Sequence, residues 1–184
     1  MNYLLFSGSL RTASLNKKLI HVGSSILKEK NFNAEVIDLK TLSIPVYDGD
    51  IEAEGIPEGV KKLSELVNKA DGIIISGPEY NGSISGSLKN TIDWVSRIRP
   101  IPWEKKTILL MGASPGYFGA IRALGVSKAP FETLGAYVFP QTFALPKASE
   151  AFTESGDLSD VGTKKKLTDL IMSFDSFSRK FKKD

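Results

Sequence analysis

The fold is decided near the start of the chain, where Tyr3 to Phe6 reads YLLF and Gly8 to Asn16 reads GSLRTASLN. A short apolar run of this kind is typical of a buried parallel strand. After the polar loop, apolar residues recur at helical spacing from Leu15 to Ile26. The sequence therefore predicts a strand, a loop and a helix, with the N-terminus of the helix directed at the loop.

The loop has the chemistry of an anion-binding site. A helix N-terminus offers unpaired N–H groups and a partial positive charge. Ser9, Ser14 and Asn16 add hydrogen-bond donors, and Arg11 adds a cation whose fork suits phosphate oxygens. The alternative is a surface loop in which Ser14 only caps the helix. The segment alone favours phosphate binding slightly over that alternative.

The loop matches neither of the two most familiar nucleotide-binding patterns. The chain contains no Gly-x-x-x-x-Gly-Lys-Ser/Thr string, and Gly8 has no partner glycine for a Gly-x-Gly-x-x-Gly fingerprint. A P-loop nucleotide and a dinucleotide bound in Rossmann fashion are therefore not favoured. The phosphate of a mononucleotide remains open.

Length and composition predict an ordinary soluble globular protein. The 184 residues suit one domain, 1–184, and 41% hydrophobic with 24% charged residues is a typical composition. The net charge of +3 does not suggest a nucleic-acid partner, and the C-terminal lysines from Lys164 to Lys183 are interpreted as a solvated helix face. No apolar run approaches membrane-spanning length and no basic segment precedes the first strand. We expect a cytoplasmic protein without a membrane partner.

Two residue counts restrict the chemistry that the side chains can perform. The chain has no cysteine and a single histidine, His21, which lies within the first predicted helix. Thiol nucleophiles, thiolate metal sites and a Ser-His-Asp triad are therefore not expected, and no metal centre is predicted. No side chain is assigned a catalytic role, because the difficult chemistry of such an enzyme would come from a cofactor.

Strand-like and helix-like segments alternate along the rest of the chain. Further strands are predicted at 34–39, 72–76, 107–112 and 136–139. Helices are predicted at about 58–69, 87–97 and 119–134, with a break or a second start at Pro130, and over a final stretch whose apolar stripe runs from Leu167 to Phe181. A loop is expected at about 44–57. Alternation predicts a parallel sheet covered on both faces, with strand order 2-1-3-4-5 as in flavodoxin-like proteins. The ligand crevice then lies at the carboxyl ends of strands one and three.

A second polar loop follows the third predicted strand, as that geometry requires. Gly77 to Ser83 reads GPEYNGS, and such a loop can present backbone N–H and C=O groups to the edge of a flat heterocycle. The alternative is a pair of ordinary turns, because Asn-Gly pairs form turns in any context. Two such loops on the strands that flank the switch point favour a ligand site.

These motifs resemble those of the NAD(P)H-dependent FMN reductases of flavodoxin-like fold, which include quinone, azo-dye and chromate reductases. The resemblance is carried by Gly8 to Asn16, by PEYNGS at 78–83 with its extension through LKNTIDW at 88–94, and more softly by ASPG…G..RA at 113–123. It spans about the first 140 residues of the chain.

The resemblance implies FMN as cofactor and NADPH or NADH as reductant. Hydride would pass through FMN to an acceptor such as a quinone, free flavin, azo compound or chromate. The implied cofactor-binding residues are Ser9, Arg11, Ser14, Leu15 and Asn16 around the phosphate, Pro78, Glu79, Tyr80 and Asn81 along the isoalloxazine ring mainly through their backbone, and Ser114 after the fourth strand. A flavodoxin-type electron carrier is the alternative, and a related protein that has lost its cofactor is a third possibility.

The resemblance also implies a homodimer or homotetramer. The 87–97 helix and the 100–104 loop are our candidates for its interface, and Lys89 and Asn90 are interpreted as helix-start or subunit-contact residues. Trp94 is interpreted as a core residue, because large aromatic side chains are usually buried.

The chain departs from the family pattern at two places. Ser85 stands where the family usually has proline, and we expect this change only to loosen a helix start. Tyr117 and Phe118 replace a more glycine-rich stretch. They are equally compatible with a lid over the ring and with an oligomer contact.

Overall fold

The computed structural model describes residues 1–182, so that Lys183 lies outside the described residues. The strands are β1 (Asn2–Ser7), β2 (Asn33–Ile37), β3 (Gly72–Ser76), β4 (Glu79–Tyr80), β5 (Ser83–Ile84), β6 (Thr107–Ala113), β7 (Tyr137–Val138) and β8 (Phe143–Leu145). The α-helices are α1 (Leu15–Glu29), α2 (Gly49–Glu54), α3 (Glu58–Lys69), α4 (Gly86–Val95), α5 (Ile121–Thr133) and α6 (Val161–Arg179), with a 3-10 turn at Leu39–Leu42.

The central sheet is parallel and has the order β2-β1-β3-β6-β7. Its register aligns Leu5 of β1 with Ile74 of β3, and Ile74 with Leu109 of β6. The predicted flavodoxin-like α/β fold is therefore confirmed. The switch in strand order falls between β1 and β3, so that their carboxyl ends open onto one crevice.

Helices cover both faces of the sheet because its strands are apolar on both sides. Leu5 packs in a core with α1 and α6, whereas Leu4 packs in a second core with α3, α4 and α5. Trp94 is fully buried in the second core, as predicted. Burial on both faces explains the continuous apolar runs of the central strands.

The edge of the sheet beyond β6 differs from the predicted fifth strand at 136–139. Only Tyr137–Val138 pairs with the start of β6, and Phe143–Leu145 pairs with its end as a strand that the sequence did not predict. Pro140 interrupts the chain between them, and proline cannot donate a ladder hydrogen bond. One long strand is thus replaced by two short ones.

Three other predicted segments also differ from the structure. The helix expected to break at Pro130 is continuous as α5, where the proline costs one hydrogen bond near the final turn. The loop expected at 44–57 contains α2, which Asp48 caps through a hydrogen bond from the backbone N–H of Asp50. The apolar stripe of the last helix is buried at Leu167 but leaves Phe181 39% exposed, beyond the end of α6.

Candidate functional site

The loops that follow β1, β3 and β6 enclose a cavity of about 80 Å³ at the carboxyl ends of these strands. Its lining consists of Ser9, Arg11, Ser14, Leu15, Asn16, Pro78, Glu79, Tyr80, Ala113, Ser114 and Pro115. Nine of the ten predicted cofactor-binding residues therefore meet at one place. Asn81 is the exception, because it lies on an exposed turn outside the lining.

Ser14 is both a helix cap and a possible phosphate ligand. Its Oγ accepts hydrogen bonds from the backbone N–H groups of Asn16 (3.2 Å) and Lys17 (3.4 Å). These bonds use the acceptor lone pairs of the hydroxyl and leave its O–H free to donate. The first turn of α1 carries no acidic residue, so nothing there offsets the positive end of the helix. The two readings of this serine are therefore compatible.

Arg11 and Ser9 supply the other hydrogen-bond donors of this loop. Arg11 is exposed and forms no ion pair with a carboxylate among residues 1–182. Ser9 is 3% exposed, and its Oγ accepts a 3.4 Å hydrogen bond from the backbone N–H of Arg11. A guanidinium and two hydroxyls thus stand near the N-terminus of α1, ready to donate to an anion.

The side chain of Asn16 is hydrogen-bonded within the protein, whether or not it also contacts a ligand. Its side chain is buried, and Nδ2 donates to the carbonyl of Ala113 at 2.9 Å. Its Oδ1 accepts from the backbone N–H of Ala113 (2.9 Å) and from the hydroxyl of Ser76 (2.8 Å). Asn16 therefore ties the start of α1 to the ends of β3 and β6, a role that the prediction of a phosphate ligand did not include.

Two serines at the start of α4 hold the loop after β1 from the other side. The carbonyl of Gly8 accepts hydrogen bonds from Ser85 Oγ (2.7 Å) and Ser87 Oγ (2.6 Å). Ser85 also caps α4 by accepting from the backbone N–H of Leu88 at 3.3 Å. The expectation that Ser85 only loosens a helix start was wrong, since its hydroxyl links the two loops that line the cavity.

The backbone of Gly8 lies too close to α4 for a larger residue. A Cβ atom at this position would lie 2.9 Å from Cβ of Leu88. The close approach explains why glycine follows the first strand here.

The loop after β3 folds into a tight hairpin. Strands β4 and β5 pair in antiparallel fashion around Asn81 (φ 52°) and Gly82 (φ 74°). Positive φ at two successive residues is what an Asn-Gly hairpin turn requires, and this dipeptide was the available sequence signal. The turn leaves Tyr80 48% exposed beside the cavity.

The carboxylate of Glu79 points away from solvent and toward the start of α5. Its Oε1 accepts from Nε of Arg122 at 2.6 Å, and its Oε2 accepts from the backbone N–H groups of Arg122 (3.1 Å) and Ala123 (3.3 Å). Burial alone would raise the pKa of Glu79, but the hydrogen bonds from Arg122 and Ala123 outweigh it and hold that pKa below its usual value. Glu79 is thus an ionised anchor between two loops of the site.

Acid should weaken the contribution of Glu79 to folding. Because its folded-state pKa is lower than its unfolded value of about 4.3, this contribution is present above that pH and is lost as pH falls through the folded-state pKa. We expect the difference in unfolding free energy between the wild type and Glu79→Gln to be largest near neutral pH and to shrink in acid, as measured by urea denaturation. Glu58→Gln, at a side chain that is 88% exposed, is the control. A difference that stays constant with pH would contradict the prediction.

The third loop is held by β8 and the segment after it. The backbone N–H of Ser114 donates to the carbonyl of Leu145 (3.1 Å), and the carbonyl of Ser114 accepts from the N–H of Ala148 (3.0 Å). Beyond it, Tyr117 and Phe118 are 79% and 59% exposed, with ring centroids 6.0 Å apart. The strand that the sequence did not predict therefore positions a predicted site residue.

Asn90 makes its contacts within the chain. Its Nδ2 donates to the carbonyl of Pro45 (2.7 Å), and its Oδ1 accepts from the backbone N–H of Tyr47 (2.8 Å). Nε1 of Trp94 donates to the same Pro45 carbonyl at 2.9 Å. Asn90 thus fastens the segment before α2 to α4, whereas Lys89 forms an ion pair with Asp93 on the exposed side of the helix.

The described part of the chain has neither a metal-binding cluster nor a membrane-spanning helix. Residues 1–182 contain no cluster of three or more His, Cys, Asp or Glu side chains that could hold a metal ion. Within the same range, no helix combines the length and apolar character needed to cross a membrane.

The topology and this cavity define a flavodoxin-like α/β protein with a cavity at the switch point of its sheet. A model of the NADPH-dependent FMN reductase family matches residues 1–150. The chain belongs to this family.

Individual relatives extend the similarity to nearly the whole chain. A quinone reductase of Escherichia coli (strain K12) is 34% identical over 179 residues, covering 95% of this chain and 94% of that protein. An NADPH:quinone oxidoreductase of Arabidopsis thaliana is 31% identical over 186 residues, covering 94% of this chain and 89% of that protein. The solved structure of FerB, a flavoenzyme NAD(P)H:(acceptor) oxidoreductase from Paracoccus denitrificans, has a TM-score of 0.86 and 30% identity over 98% of both chains.

The predicted family is therefore confirmed, and with it the class of enzyme. The chain is an oxidoreductase of a family whose cofactor is FMN and whose reductant is NAD(P)H. The alternative of a flavodoxin-type electron carrier is not favoured, because the relatives just described are reductases and two of them are named for a nicotinamide nucleotide.

Proposed function

We propose that this chain transfers hydride from NADPH or NADH, through FMN whose phosphate is held in the cavity described above, to a quinone. Free flavin, azo compounds and chromate are further proposed acceptors. The observation that carries the proposal is the meeting of nine predicted cofactor-binding residues in one cavity at the switch point. Membership of the FMN reductase family supports the same function.

The donors at the N-terminus of α1 fit the phosphate of FMN. Arg11 supplies the charge, and the O–H groups of Ser9 and Ser14 are free to donate because their oxygens accept bonds from the backbone. A cavity of about 80 Å³ suits a phosphate group and is too small for a whole flavin nucleotide. We therefore assign the ring to the open surface between Tyr80 and Ser114.

Bound FMN would supply the redox chemistry, and the protein would bind and orient it. The backbone of Pro78, Glu79 and Tyr80 would present N–H and C=O groups to the ring. Since the Glu79 carboxylate is ionised and engaged with Arg122, it is not a proton donor in this proposal. We assign no catalytic side chain.

The remaining proposals concern the assembly of the protein. We propose that residues 1–184 form a single FMN-binding domain and that the chain works in the cytoplasm as a homodimer or homotetramer, with no nucleic-acid or membrane partner. The exposed side of α4 and the 100–104 loop are the proposed interface. A stable monomer in size-exclusion chromatography would contradict the interface.

The first experiment is an absorption spectrum of the purified protein before and after anaerobic addition of NADPH. Oxidised flavin bands near ~370 and ~450 nm that bleach within seconds would support the reductase. Bands that persist with NADPH and with NADH would favour the electron carrier. No bands after reconstitution with FMN would contradict the cofactor assignment and favour a protein that has lost its cofactor.

Arg11→Ala should weaken FMN binding by about 1.5–3 kcal/mol, or roughly 10- to 150-fold, because one charge-assisted phosphate contact is lost. Fluorescence titration of the apoprotein with FMN measures the change. Arg99→Ala is the matched control, since Arg99 is exposed and contacts only the backbone carbonyls of its own segment. Unchanged FMN affinity in Arg11→Ala would remove Arg11 from the site.

A further inference from the structure

One ion pair borders the cavity without contributing to the proposed phosphate site. Glu79 lines the cavity, and both oxygens of its carboxylate face the start of α5. Arg122 Nε lies 2.6 Å from Oε1, and a terminal nitrogen of Arg122 contacts the same oxygen. The pair joins the loop after β3 to the helix that follows β6.

The two partners differ in their exposure to solvent. The Glu79 side chain is 7% exposed, whereas that of Arg122 is 60% exposed. The buried carboxylate also caps α5, whose N-cap residue, Ala120, has no side-chain acceptor. The carboxylate therefore satisfies backbone N–H groups that would otherwise lack a partner.

This arrangement places two opposite charges beside the surface assigned to the flavin ring. Reduction adds electrons to a flavin, so a nearby positive charge favours the reduced form and a nearby negative charge favours the oxidised form. While the pair is intact, the two contributions oppose each other. Loss of either partner would leave the other charge uncompensated near the ring.

We infer that Glu79 and Arg122 are positioning residues that tether the ring-binding loop to α5 and, by balancing each other's charge, set the reduction potential of the bound cofactor. The inference rests on the proposed function, since it requires FMN with its phosphate in this cavity and its ring on the adjoining surface. It goes further by assigning a role to Arg122, which is far from the phosphate loop in sequence and does not line the cavity.

The test is a charge cycle made of Glu79→Gln, Arg122→Gln and the double variant. The midpoint potential of bound FMN is measured at saturating FMN by anaerobic titration against a reference dye. Glu79→Gln should raise the potential and Arg122→Gln should lower it. We expect each single change to alter the ratio of oxidised to reduced FMN affinity by up to about tenfold, which is about 30 mV for a two-electron couple.

The double variant distinguishes charge balance from a purely structural role. If charge balance sets the potential, the double variant returns close to the wild-type value, because both charges are gone. If the pair only holds the loop, the two single variants shift the potential in the same direction or not at all, and the inference is overturned. The ion pair between Arg97, which follows α4, and Glu52 on α2 (3.1 Å) gives matched controls, since Glu52→Gln and Arg97→Gln should leave the potential unchanged.

Two further measurements keep the outcomes separate. Melting curves of the apoproteins identify a variant that fails to fold. If Glu79→Gln fails to fold, Arg122→Gln, at the more exposed residue, still tests the predicted fall in midpoint potential. An unchanged or raised potential in that variant overturns the inference. If the wild type binds no FMN, or if NAD(P)H does not reduce its FMN, the proposed function itself is contradicted. Opposite shifts of the midpoint potential in the two single variants can be observed only if the wild type binds FMN and is reduced by NAD(P)H.

Discussion

Asn16→Ala should lower the free energy of unfolding by about 3 kcal/mol, because it leaves three buried groups without their partner. These groups are the N–H and carbonyl of Ala113 and the hydroxyl of Ser76, each bonded to Asn16 at 2.8–2.9 Å. FMN affinity should fall as well, since the start of α1 is no longer tied to the sheet. Urea denaturation of the apoprotein measures the stability, and fluorescence titration measures the affinity.

Two variants give this prediction its controls. Asn16→Asp keeps an acceptor for the N–H of Ala113 but loses the donor to its carbonyl, so it separates the two halves of the contact. Asn33→Ala removes an exposed asparagine that bonds only to Asn2 and should change stability by less than about 0.5 kcal/mol. If Asn16→Ala is no more destabilising than Asn33→Ala, Asn16 does not hold the loop.

Asp175→Ala should destabilise the protein by about 3 kcal/mol through a contact at the amino ends of the strands, opposite the cavity. Asp175 is 8% exposed, accepts a 2.5 Å hydrogen bond from the hydroxyl of Tyr3, and pairs with Nε of Arg179 at 2.8 Å. Burial raises the pKa of Tyr3 far above its usual range, as does the hydrogen bond to Asp175, so the phenol remains a donor. Thermal and urea denaturation measure the loss.

Because of its location, Asp175 should affect stability without affecting FMN binding. It lies on α6, beyond the residues 1–150 that match the family model, and its partner Tyr3 lies near the start of β1. FMN affinity of the folded variant should therefore stay close to wild type. Asp169→Ala, which removes an exposed ion pair with Lys165, is the matched control. Equal effects of Asp175→Ala and Asp169→Ala on stability, or loss of FMN binding by a folded Asp175→Ala protein, would contradict this account.

The exposed aromatic pair Tyr117 and Phe118 is still compatible with a lid over the ring and with an oligomer contact. Arg122 lies over the Phe118 ring at 5.1 Å, so the ion pair with Glu79 also supports this residue. A lid would alter the KM for the acceptor when the pair is replaced by glycines, whereas an oligomer contact would alter the size of the particle. Steady-state kinetics and size-exclusion chromatography on one variant distinguish the two.

Local sequence patterns were sufficient for the architecture and for the end of the sheet at which the predicted loops meet. The β-branched run at 72–76 and the helix at 58–69 have the predicted bounds, because alternation of apolar strands and amphipathic helices depends on residues close in the chain. The two polar loops identified the switch point, since parallel strands bring their carboxyl ends to one edge. The loop motifs also identified the family.

Tertiary structure alone decided what several site residues do. Asn16 bonds to Ala113 across 97 positions, Ser85 to Gly8 across 77, and Glu79 to Arg122 across 43. No local pattern marks such pairs, because each forms only after the sheet and its helices have packed. Local sequence patterns thus determined which loops meet at the carboxyl ends of the strands. Packing decided which side chains remain free to donate to a ligand and which are used to hold those loops in place, since a buried polar group must find its hydrogen-bond partner wherever the fold puts one.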